Sequence, residues 1–256
     1  MNIHFTNRRT HAFSLVEVMV VVAVIAIISA VFLSKHARDR DRARRISCIG
    51  SLKITSMGLR LFANDADGAY PFQFLSRPTN SMMFGSAFKT NDPGELWKLI
   101  QVAQNDIASA RVPICPGDRP WRPADSFLTA GLPGEFAHTN SRLNALSYFL
   151  SPDADESDPS LILMGDRYLT TDPETSSERK TSFLFGQQDV SSGASLEKQV
   201  RWISTVHQGG GNAAFMDGSV QQLTTAKLRE AIVNQPAGRA NRIWLPNSDA
   251  TGRGNP

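Results

Sequence analysis

Hydrophobic positions change their spacing twice along the chain. From Phe13 to Leu33 they are nearly continuous, with only Ser14, Glu17 and Ser29 polar among twenty-one residues. A helix of that length spans about 30 Å, the thickness of a bilayer hydrocarbon core, so the run predicts a membrane-spanning helix. Further on, Cys48, Ile49, Leu52, Ser56, Leu59 and Ala63 recur at threes and fours, which places them on one helical face. No Pro occurs before Pro71. One continuous helix is therefore expected from Phe13 to about Asn64, roughly 75 Å long. Gly68, after Asn64-Asp65-Ala66-Asp67, marks its stop. Gly50 and Gly58 each lower helix propensity by ~1 kcal/mol relative to Ala, so the second half depends on packing against a body.

Beyond residue 69 the apolar runs shorten. "SLILMGDR" (160–167) and "TSFLF" (181–185) read as strands. "GNAAFMDGSVQQL" (211–223) reads as two strands joined by Asp217-Gly218, a dipeptide suited to a type I′ turn with positive φ at both positions. "TTAKLREAIVNQ" (224–235) begins with a capping Thr and carries Leu228 and Ile232 on one face. The Pro-containing stretch 113–135 reads as loops. The expected fold class is α+β: a long N-terminal helix packed on a small antiparallel sheet.

Composition changes little in this picture. With 256 residues, 41% of them hydrophobic and 20% charged, the chain is foldable rather than disordered. A net charge of +3 gives no strong pull on nucleic acid. Much of the basic excess is local, in "KHARDRDRARR" (35–45), a collar suited to anionic headgroups beside an apolar helix. Cys48 and Cys115 form no CxxC and suggest neither a zinc knuckle nor a redox pair. If the body is exported the two can form one disulfide; in a reducing compartment they would be small, semi-buried side chains.

Glu17 is the anomaly of the apolar run. A carboxylate inside a bilayer costs a few kcal/mol, so it is presumed functional. A removable signal peptide fits poorly, because the run exceeds the ~7–15 residues of an ordinary h-region and no A-x-A site follows it. A plain anchor explains the length but not the acid. The leader, the small Ala12 and "FSLVE" (13–17) together resemble the cleavage and methylation signal of type IV prepilins and type II secretion pseudopilins, G-F-[ST]-L-x-E. Phe13, Ser14, Leu15 and Glu17 match; Ala12 stands where the family usually has Gly.

The resemblance implies cleavage by prepilin peptidase between Ala12 and Phe13, N-methylation of Phe13, and retention of the helix. Glu17 becomes the fifth residue of the mature chain and pairs, in the family, with the N-terminal ammonium of a neighbouring subunit. It implies an inner-membrane, single-pass protein with a periplasmic head, assembled into a periplasmic or surface filament. Its partners would be itself or related pseudopilins, prepilin peptidase, the inner-membrane assembly machinery and membrane lipid. The positive-inside count runs the other way: Arg8 and Arg9 precede the helix, and six Lys or Arg follow it in 35–45. The motif is given precedence over that count. The expected segments are a leader (1–12), a membrane or fibre-core helix (13–34), its continuation (35–68) and a globular head (69–256).

The head adds to the resemblance. "CIGSLKITSMGLRLFANDADGAYP" (48–71), "ICPGD" (114–118), "LSYFL" (146–150) and "MGDR" (164–167) are similar to segments of a large bacterial pseudopilin-like group common in planctomycetes and verrucomicrobia. His207, followed by nine residues and then Asp217-Gly218, matches that group's H-x9-D-G signature.

Candidate chemistry is sparse. His207 and Asp217 would flank a strand and lie at opposite ends of it, which suits a structural role better than a ligand pair. The triple glycine 209–211 lacks the Lys-Ser/Thr of a P-loop. No G-x-S-x-G or H-E-x-x-H occurs, so no enzyme is expected. No cofactor or metal is expected; calcium is the one cation that the acids of 64–68 and 153–158 could suit, at spacings that fit no EF-hand. Trp97, Trp121, Trp202 and Trp244 are expected to pack in or near the core. The alternative to a filament subunit is a single-pass protein whose extracytoplasmic head binds a ligand.

Overall fold

The computed structural model describes residues 14–118, 123–128, 132–139, 141–171, 182–185, 200–203, 207, 209–234 and 241–246. The chain divides into two units, Met1–Ala43 and Arg44–Pro256. Helix α1 (Leu15–Asp65) is continuous through both. In the first unit its apolar side chains from Leu15 to Ile28 are exposed, as a helix built for lipid or for other helices requires.

In the second unit α1 becomes a core helix. Cys48, Leu52, Leu59 and Ala63 are fully buried, and Thr55 and Ser56 lie on the same face. Residues 42–65 have a mean hydropathy of 1.2, enough for a membrane span by composition alone, yet 39% of the apolar window is buried within the head. The buried stripe marks the segment as core. The helix stops where Asp67 and Gly68 turn left-handed, and the Gly68 N–H returns to the Ala63 carbonyl at 2.8 Å.

Two short helices follow, α2 (Pro71–Ser76) and α3 (Leu96–Val102). The strands are β1 (Tyr148–Leu150), β2 (Ile162–Asp166), β3 (Leu169–Thr171), β4 (Ser182–Phe185), β5 (Val200–Trp202), β6 (Gly210–Phe215), β7 (Val220–Thr224) and β8 (Asn241–Trp244). Helix α4 (Thr225–Val233) lies between β7 and β8. Six strands form one sheet in the order β4-β8-β1-β2-β6-β7, and β3 pairs with β5 in a second. Every pairing between these strands is antiparallel. The α+β class is that of a helix-and-sheet head.

The centre of the large sheet, β1, β2 and β6, is buried on both faces. Tyr148, Leu150, Ala214 and Met216 join the cluster that includes α1, whereas Phe149, Ala213 and Phe215 join the cluster that includes Leu228 and Ile232 of α4. A register shift between Ile162 and Met164 puts Leu163 and Met164 into the same cluster. Of the tryptophans, Trp97, Trp202 and Trp244 are buried, and Trp121 lies outside the described residues.

The turn between β6 and β7 corrects one expectation. Among the described non-glycine residues only Asp67 has positive φ, so Asp217 is not left-handed; Gly218 is, at φ 82°. The Gly218 N–H donates to the Phe215 carbonyl, and the Phe215 N–H donates to that of Ser219, both at 2.9 Å. This is a three-residue loop, a type I turn closed by a glycine bulge, and not a type I′ turn. Asp217 prefers it because its side chain accepts the Ser219 N–H at 2.7 Å.

Candidate functional site

Two groups of residues stand out. The first is the N-terminal signal. Ala12 and Phe13 lie outside the described residues. Glu17 is described, and it sits in the first turn of α1. The Ser14 backbone N–H donates to Glu17 Oε2 at 2.9 Å. An S-x-x-E start in which the acid reaches back to the cap residue is half of a capping box. The signal was present in "SLVE", and it gives Glu17 a local role that the membrane argument alone misses. The acid satisfies a donor that the helix start leaves without a partner.

The second group is a buried polar cluster at the centre of the head. Cys48 of α1 and Cys115, in the turns after α3, are joined by a disulfide. The Gly117 N–H points at Cys48 Sγ at 3.4 Å, and Tyr148 donates its hydroxyl to the Cys48 carbonyl at 3.2 Å. His207 Nε2 lies 3.7 Å from Cys115 Sγ and 3.4 Å from Asp166 Oδ2. Asp166 ends β2, and its Oδ2 accepts both the backbone N–H and the side-chain amide of Asn212 on β6, at 2.7 and 2.9 Å. Beside it Arg167 grips Asp118, Nε to Oδ2 at 2.9 Å and Nη2 to Oδ1 at 3.0 Å, and the Tyr168 hydroxyl donates to Asp118 as well.

Water has little access here. Asp118, Asp166, Arg167, His207 and Asn212 are all buried. Burial pushes the Asp166 carboxyl up to about 7, although the two Asn212 hydrogen bonds pull the other way. Burial also raises Asp118, opposed by Arg167, and lowers His207, with the charge of Arg45 adding to the effect. A neutral imidazole is the expected state near neutral pH. A buried ion pair such as Arg167–Asp118 specifies geometry more than it stabilises, but breaking one side is costly.

The segments 48–71, 114–118, 164–167 and the start of H-x9-D-G converge on this cluster. His207 is held there, whereas Asp217 lies at the far end of β6, where Lys53 and Arg60 of α1 meet the turn. Lys53 donates to the Gly218 carbonyl. Glycine is required there for its positive φ; a Cβ would also lie 2.2 Å from Arg60 Nη1, at the flexible end of a side chain that would have to shift. Asp166, Arg167 and Asn212 were not singled out from the sequence as site residues. The segment "MGDR", quoted for its resemblance, contains Asp166 and Arg167 but gave neither a role, and nothing pointed to Asn212.

The acids of 153–158 considered for calcium are engaged within the head. Asp153 takes a bidentate contact from Arg242, with the shortest distance 2.7 Å, and Glu156 accepts from Tyr70. Asp155 and Asp158 accept the backbone N–H groups of Ser157 and Ser160. Among the described residues, the open cleft lined by Gln104, Asn105, Ser126, Phe127 and Leu128 has no titratable side chain in its wall.

Residues 7–33 match the prokaryotic N-terminal methylation motif, the type IV pilin and pseudopilin signal. The chain carries that signal, with Ala12, Phe13 and Glu17 inside it; the match ends at Leu33 and does not reach the head. No curated protein and no solved structure matches the chain.

Proposed function

We propose that the protein is a structural subunit of a type II secretion-like pseudopilus or a type IV pilus-like filament. The motif at residues 7–33 carries this reading. Its support is the apolar face of α1 left exposed from Leu15 to Ile28, which a lipid bilayer or a bundle of like helices would cover. Prepilin peptidase removes residues 1–12 on the cytoplasmic side, and Phe13 is methylated. The precursor rests in the inner membrane with its head in the periplasm. Assembly then moves α1 from lipid into the filament core, where Glu17 pairs with the Phe13 ammonium of the next subunit. The head is a spacer and contact surface without catalysis of its own.

The test is an intact mass of the protein purified from native membranes, with mapping of the N-terminal peptide. Loss of residues 1–12 with one methyl on Phe13 is the expected result. A chain still starting at Met1 in cells with an active prepilin peptidase would overturn the reading and favour a plain anchor.

A further inference from the structure

The buried cluster contains more donor atoms than a structural disulfide requires. Cys48 Sγ, Cys115 Sγ and a ring nitrogen of His207 lie within 4.8 Å of one another, all on buried residues. Asp166 adds a carboxylate 3.4 Å from the same imidazole nitrogen that faces Cys115 Sγ at 3.7 Å. In a tetrahedral zinc site, with Zn–S about 2.3 Å and Zn–N or Zn–O about 2.0 Å, neighbouring donors stand roughly 3.3–3.8 Å apart. The His–Cys and His–Asp distances already have that length.

Two further observations point to a ligand. Asp166 is almost wholly buried, yet its Oδ1 has no hydrogen-bond partner, and its Oδ2 is met by the Asn212 amides rather than by a paired cation. Gly117 leaves space over the donors: a Cβ there would lie 3.4 Å from Cys115 Sγ, 3.5 Å from Cys48 Sγ and 3.5 Å from His207 Cε1.

We propose that Cys48, Cys115, His207 and Asp166 form a redox-gated site for a divalent cation of the zinc class. In the disulfide form the sulfurs are bonded to each other and the site is closed. A dithiol reductant opens it: the S–S bond breaks, the reductant leaves as its own disulfide, and two protein thiols remain. The cation then displaces both thiol protons to solvent and is held by two thiolates, His207 Nε2 and the Asp166 carboxylate. The cation replaces the covalent link between α1 and the loop carrying Cys115, so either state fastens the helix to the head. The site stands independently of the filament reading.

The experiment uses the full chain in detergent, with cobalt(II) as the probe. The chain is reduced with excess dithiol, freed of it without air, and titrated. The expected result is a thiolate-to-cobalt charge-transfer band with the intense d–d bands of a tetrahedral ion, saturating at one cobalt per chain and bleached by zinc. The oxidised chain should show neither. His207→Ala and Asp166→Asn should each weaken binding at least tenfold and shift the d–d bands. Absence of the charge-transfer band in the reduced chain would overturn the proposal. So would unchanged affinity in both variants, since two thiols alone would then hold the ion. Near-ultraviolet circular dichroism is recorded in parallel. A reduced chain that has lost its native signal and does not regain it on adding cobalt also counts against the site.

Discussion

A single side chain can carry two roles, and Glu17 must be separated into them. Its carboxylate accepts the Ser14 N–H at the helix start, and in a filament the same charge would meet an ammonium. Glu17→Gln keeps an acceptor for the cap but removes the charge, whereas Glu17→Ala removes both. Both variants are expected to be processed and inserted normally and to be depleted from filaments to a similar degree, read by quantifying sheared filament fractions. If Gln assembles like the wild type, the acid serves as a cap alone. Gly218 offers a test within the head. Gly218→Ala strains a left-handed position and displaces Arg60, which should cost about 1–2 kcal/mol of unfolding free energy measured by urea titration. Adding Arg60→Ala should restore only the packing part. Asp217 is held below the usual carboxylate range by the Ser219 N–H, with Arg60 and Lys53 contributing. Its folded pKa is depressed, so the stability it adds is present above about 4 and is lost as pH falls through the folded value. Asp217→Asn should therefore be less stable than wild type at pH 7, by under about 1 kcal/mol. The difference should vanish on acid titration.

Elements were legible where one periodicity dominated. The stripe of α1 and the Thr-capped α4 follow patterns with one buried face, the β6–β7 pair is marked by its Asp-Gly turn, and all are present. Strands β1, β3, β5 and β8 were not anticipated as strands. β1 is buried throughout and packs on both faces, so alternation is erased; β3 and β5 are only three residues each. The turn type was misread because Asp-Gly suits several loops, and the choice depended on the Phe215–Ser219 pairing across the hairpin. The buried cluster was legible only in fragments. Its members come from α1, a loop, β2, β6 and the residue His207, and their meeting depends on the strand order. What fastens these elements is testable. Cys48 and Cys115 are 67 residues apart in sequence, so in the chain-entropy model their bond stabilises by about 4 kcal/mol. Cys48→Ala combined with Cys115→Ala should lower the unfolding free energy of the oxidised protein, measured by urea titration, by about 2–4 kcal/mol. An unchanged midpoint would mean that the two sulfurs are not bonded in the mature chain.

At the scale of the whole molecule the two units have opposite physical requirements. Both apolar clusters of the head are built from residues after 44, with Cys48 of α1 the earliest member. Among the described residues, the exposed Leu15–Ile28 face contributes to neither. A chain beginning at Arg44 should therefore be soluble without detergent, form its disulfide and unfold cooperatively. Its melting midpoint should fall within a few degrees of that of the full chain in detergent. Loss of the first turns of the head's helix to fraying is the main expected cost, because Cys48 lies only four residues from the new terminus and its disulfide must fasten that end. The same truncation should abolish filament incorporation and self-association, since the face that drives them is gone. Analytical ultracentrifugation of residues 44–256 decides the matter. A monomer supports a division of labour in which the first unit assembles and the second is displayed. A truncated head that still self-associates would place an assembly surface on the head, and the exposed face of α1 would then be a membrane anchor.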